Sequence, residues 1–123
     1  MATMESSLFN QNGKAVAYLA DDCETIYLWD GRAAAYLVEP RVFGVNGRQL
    51  GWFDNGTFFD IYGLRAGFLK SKSPIPTDIE PGKPGKKAQG IRKPRQGGLA
   101  EPTMCYGYSN KFLEEILLEG LEG

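Results

Sequence analysis

Leu8 to Leu19 reads LFNQNGKAVAYL, and the same frame returns three more times, as IYLWDGRAAAYL from Ile26, VFGVNGRQLGWF from Val42 and FFDIYGLRAGFL from Phe58. Aligned on Gly13, Gly31, Gly47 and Gly63, each copy has an aromatic four residues before the glycine (Phe9, Tyr27, Phe43, Phe59) and another five after it (Tyr18, Tyr36, Trp52, Phe68). A small residue falls four after the glycine (Ala17, Ala35, Gly51, Gly67), and a large apolar one six after it (Leu19, Leu37, Phe53, Leu69). Self-similarity at a period of sixteen to eighteen residues marks one supersecondary unit used repeatedly, each copy burying its neighbours. Such a repeat specifies architecture and leaves chemistry open.

Asn12-Gly13, Asp30-Gly31 and Asn46-Gly47 sit between short runs of β-branched and aromatic residues, the strongest local signal for a two-residue type I′ hairpin turn. Tyr62-Gly63 departs from that pattern in the fourth copy. With such turns Phe9 should face Val16 and Leu8 face Ala17, while Tyr27 should face Ala34 and Ile26 face Ala35. One face of each hairpin then carries the aromatic columns, and the other carries the large apolar residues with the Ala/Gly column between them. An isolated hairpin is marginal in water, so the four must pack on one another. Small residues at one position of every copy suggest close approach of backbones around an axis. The expected fold is all-β, with four β-hairpin repeats in pseudo-four-fold symmetry; a small up-and-down barrel is the rival closure.

These copies, above all IYLWDGRAAAYL and VFGVNGRQLGWF, resemble the bacterial four-fold β-flower family over about Leu8 to Leu69. The resemblance implies four hairpins set as petals about a pseudo-four-fold axis. It implies no biochemical activity and no cofactor.

The chain has 123 residues and a net charge of −1, spread unevenly. Residues 70–98 carry eight basic side chains and two acidic ones, between an acidic body and an acidic end. Charges so arranged can satisfy one another within or between chains. Residues 1–7 read as a disordered leader, 8–69 as the four-hairpin domain, 70–102 as a flexible Pro/Gly/Lys-rich linker and 103–123 as a segment with a short amphipathic helix. That helix, capped by Ser109 or Asn110 and stopped by Gly120, would present Phe112, Leu113, Ile116 and Leu117 at three- and four-residue spacing. About ten residues of helix cannot persist alone in water, so it must dock on its own hairpins, a sister chain or another protein. No signal peptide and no apolar stretch of membrane-spanning length is seen, and Cys23 and Cys105 read as free thiols in a cytoplasmic protein.

The chain contains no histidine, which removes the commonest general base and metal ligand. No cysteine pair has metal spacing, and Gly82 to Lys87 lacks the spacing of a phosphate loop. An enzyme is therefore not expected, and neither a metal nor another cofactor is implied. The aromatics that recur in every copy read as core rather than as a stacking surface. Trp29 is the exception, since Gln11, Val45 and Ile61 hold its place elsewhere. It is expected to be exposed, and with Lys14, Arg32 and Arg48, which follow the turns, it forms a candidate face for a small anion or sugar. Lys83, Lys86, Lys87, Arg92, Lys93 and Arg95 form a candidate polyanion contact, but without interleaved aromatics for base stacking. The leading expectation is a non-enzymatic protein-interaction or self-assembly module, ahead of a small-ligand binder, a nucleic-acid accessory protein and contact with a membrane.

Overall fold

A computed structural model describes residues 5–105 and 107–122. Eight strands follow one another as β1 (Ser6–Phe9), β2 (Ala15–Leu19), β3 (Thr25–Leu28), β4 (Ala33–Val38), β5 (Arg41–Gly44), β6 (Gln49–Asp54), β7 (Thr57–Phe59) and β8 (Arg65–Leu69). Each pairs antiparallel with the next, and β1 pairs with β8, which closes a barrel. Flower and barrel are thus one object, because the four hairpins also pair edge to edge and no strand is left with a free edge. β1 begins inside the stretch expected as a leader; Met1 to Met4 lie outside the described residues.

The four glycine turns share one geometry, and it is not type I′. In each copy the glycine amide donates to the carbonyl three residues back, at Asn10, Leu28, Gly44 and Asp60. Among the turn residues only the glycines, Gly13, Gly31, Gly47 and Gly63, have positive φ. This is a type I turn followed by a left-handed glycine, the three-residue hairpin loop with a bulge. The residue before the glycine stays in ordinary right-handed space, so Tyr62 serves as well as Asn12. A second bulge follows: Leu8 pairs with Ala17 and Ile26 with Ala35 as expected, but Phe9 pairs with Ala15 and Tyr27 with Ala33. The residue skipped, Val16 or Ala34, joins the interior cluster. The type I′ turn lies elsewhere, at Asn55-Gly56, where both φ values are positive (50° and 79°) and Asp54 pairs directly with Thr57.

Inside the barrel pack Leu8, Ile26, Val42 and Phe58 from one strand of each hairpin, with the small column beside them. The space this leaves is filled by α1 (Leu113–Glu119), whose Leu113, Ile116 and Leu117 are buried in the same cluster. A Cβ on Gly67 would stand 2.5 Å from the Leu113 side chain, so the small column makes room for the helix as well as for neighbouring backbone. Of the three docking modes considered, the helix uses its own hairpins. Its cap position is Phe112, whose amide donates to Glu115 Oε1 at 2.9 Å, and Gly120 ends it. Ser109 instead donates to Asp60 Oδ2 at 2.6 Å.

The aromatic columns lie on the outer wall, and they meet in pairs at the seams between hairpins: Tyr18 with Tyr27, Tyr36 with Phe43, Trp52 with Phe59, and Phe68 with Phe9. They are nevertheless buried, Phe59 only partly, because residues 74–105 run round the barrel as an extended strap. The amides of Asp78, Lys87, Gln96 and Cys105, each nine residues after the last, donate to the carbonyls of Gly13, Gly31, Gly47 and Gly63 at 2.8 to 2.9 Å. The stretch expected as a flexible linker is thus a second repeat, one nine-residue unit to each hairpin. It lacks apolar bulk, as composition requires; backbone hydrogen bonds fix it to the rim instead.

Candidate functional site

The strap brings its cations to the seams. Lys83 Nζ lies 4.3 Å from the centre of the Tyr18 ring and Lys86 Nζ 5.5 Å from that of Tyr27. One unit on, the Arg92 guanidinium lies 4.1 Å from the Tyr36 ring and that of Arg95 5.6 Å from Phe43. The next unit places Glu101 and Met104 at the corresponding positions, so this cationic pairing belongs to two seams of the four. Glu5 accepts from Lys83 at 2.8 Å and from Lys86 at 2.6 Å, and Glu24 from Arg92 at 2.7 Å. Hydrogen bonds from Lys83 and then Lys86 hold the Glu5 carboxyl below its usual range, while the bond to Glu5 raises Lys86. Burial, and then the nearby Glu5 charge, raises the Tyr18 hydroxyl. The acidic body and basic middle do satisfy one another within the chain. Four of the six candidate polyanion contacts are spent on rings, two of the four in the Glu5 pair; Lys87 and Lys93 give backbone amides to Gly31 and Val45 while their side chains stay exposed.

The candidate small-ligand face does not assemble. Lys14, Arg32 and Arg48 follow three different turns, and α1 occupies the end of the barrel that they surround. Arg32 pairs with Asp30 at 2.8 Å, and Arg48 lies 3.6 Å from Glu122. Burial tends to raise the Asp30 carboxyl, but the Arg32 amide and guanidinium outweigh it and hold the group low. Trp29 is half-buried, its ring edge-on to Tyr18 at 5.9 Å and beneath Lys83. The most exposed aromatic among the described residues is Tyr62, one residue before the fourth glycine and 72% exposed.

Tyr62 and Ile61 border a cleft of about 340 Å³ between the third and fourth turns and the entry to α1. Leu50 and Ile116 form its apolar floor, with Arg48 and Lys111 at its edge. Lys111 is engaged by Glu119, which raises it, and Asp60 is engaged by the amides of Tyr62 and Leu64 as well as by Ser109. Phe112 and Leu118 are 38% and 41% exposed, Leu118 on the side of α1 toward Val16 and Trp29, while the other apolar residues of the candidate docking set, Leu113, Ile116 and Leu117, are buried. Among the described residues no cluster of acids and thiols could hold a metal ion, and no helix is long and apolar enough to cross a membrane.

Sequence reasoning missed Tyr62, Glu5 and the pairing of Tyr18 with Tyr27 across a seam. A signal for the last was present in Lys83-x-x-Lys86 and Arg92-x-x-Arg95, a cation pair repeated at nine residues. No curated protein and no solved structure matches the chain. A family match runs from residue 6 to residue 117, through hairpins and strap and into the helix, and with it the chain belongs to the family described as 4-fold beta flower protein.

Proposed function

We propose that the chain is a non-enzymatic interaction module that offers the helix-closed end of its barrel to another protein. The observation that carries this is Tyr62, left 72% exposed at the edge of a cleft with an apolar floor, beside the exposed Ile61. An aromatic with a polar tip beside an apolar pocket is the residue type enriched at protein interfaces. A non-enzymatic role is supported by the lack of histidine and by the engagement of Asp60 and Lys111, two of the charged groups that line the cleft, with partners of their own. A protein partner is favoured over a polyanion because four of the strap cations already rest on rings of the barrel wall.

The test is capture from a bacterial lysate with wild-type chain and Tyr62→Ser as parallel baits, together with light scattering of both over a concentration series. A partner or a self-associated species held by wild type and lost in Tyr62→Ser is expected. Identical recovery and identical mass for the two baits would sink the proposal.

A further inference from the structure

Tyr18 and Tyr27 face each other across the β2–β3 seam with ring centres 5.4 Å apart and planes 12° from parallel, and Trp29 meets Tyr18 at 86°. Tyr18 and the perpendicular Trp29 make two walls of an aromatic box, and Tyr27, stacked beside Tyr18, extends the first wall toward Lys86. Lys83 Nζ stands in it, 4.3 Å from the Tyr18 centre and 5.2 Å from the Trp29 centre, and the Glu5 carboxylate meets the same ammonium at 2.8 Å. Aromatic faces with a carboxylate are the chemistry that recognises organic ammonium groups, and recognition is strongest where the cation is alkylated and sheds its water readily. A primary lysine ammonium is compact and strongly hydrated, a poorer match to such walls.

The occupant belongs to an exposed part of the strap, held by side-chain contacts of Lys83, Lys86 and Gln89 and by one backbone bond. Residues 81–90 are all exposed, and the amide of Lys87 gives this stretch its backbone bond to the barrel, at Gly31. The box walls, by contrast, stand on or beside two paired strands. Segments with few buried contacts open at lower free energy than the strands beneath them. We infer that the box of Tyr18, Trp29 and Glu5, flanked by Tyr27, is a binding site for a quaternary ammonium group of a small molecule, and that Lys83 is its built-in competitor, with Lys86 the second cation on the same carboxylate. A ligand enters as the Lys83 side chain withdraws.

Calorimetry on the full chain tests this with three probes: choline, its uncharged isostere 3,3-dimethylbutan-1-ol, and a short peptide bearing trimethyl-lysine. Lys83→Ala, with the fold checked by circular dichroism, should bind choline about tenfold more tightly than wild type. It should ignore the uncharged isostere, and adding Tyr18→Leu should abolish the gain. Tighter binding of the trimethyl-lysine peptide than of choline would overturn the small-molecule assignment. No saturable choline binding by a folded Lys83→Ala chain, or equal binding of choline and its isostere, would overturn the site. Lys83→Gln provides a second vacated box; if both variants fail to fold, Lys83 is a structural plug and the inference falls.

Discussion

Gly47 carries two constraints at one atom. Its φ of 90° is a conformation that L side chains rarely adopt, and a Cβ there would run into the carbonyl of Pro94 in the strap. Gly47→Ala should therefore cost about 1–3 kcal/mol from backbone strain alone, read as a lowered urea midpoint. It should also release the Gln96 amide from Gly47, seen as faster hydrogen exchange at that amide. Glu5 makes a different kind of single-residue prediction. Its carboxyl is held low in the folded chain by Lys83 and Lys86, so the unfolded chain takes up the proton first as pH falls. The stability this contact gives is complete above about pH 4.3 and drains away as pH drops through the depressed folded value. Tryptophan emission, sensitive to Lys83 above Trp29, should shift in that acid range for wild type, and Glu5→Gln should flatten the shift.

Hairpins were legible at the level of the element, and their turns were not. The repeat named the four glycines and the strands on either side, because side-chain periodicity is written in residue types. Turn class depends on the sign of φ one residue earlier, and Asn is compatible with either sign; only Tyr62, a poor left-handed residue, hinted that the common geometry was type I. Asn12 and Asn55 each precede a glycine, but only Asn55 has positive φ, at 50°. Asn55→Val should thus lower stability by about 1–2 kcal/mol through left-handed strain, while Asn12→Val should cost much less. Equal thermal shifts for the two would mean that the turns had been assigned wrongly. Outside its two cation pairs, the strap was illegible for a related reason. Its regularity resides in amide positions, at Asp78, Lys87, Gln96 and Cys105, four residues with no chemistry in common. The site was half legible: Trp29 and the strap lysines were singled out separately, and only the wrapped path of residues 74–105 puts one upon the other.

The whole molecule is a shell that its own C-terminal half must finish. Barrel residues 6–69 enclose a space that Leu113, Ile116 and Leu117 fill, and expose an outer aromatic wall that the strap covers. A chain ending at Leu69 should accordingly fail as a folded monomer. Light scattering should find it aggregated and near-ultraviolet circular dichroism should find its aromatic signal collapsed, whereas a stable monomer would show that strap and helix are accessories. One consequence follows from the match of nine strap residues to each hairpin. The tail works as a gauge of the ring it encloses, with its units in phase with the petals. An ordinary surface loop absorbs a single inserted residue locally, but an extra residue between Pro76 and Gly85 would carry every later unit out of step. Growth of the ring by a petal thus demands a matching step in the tail, and the number of petals is recorded twice in one chain.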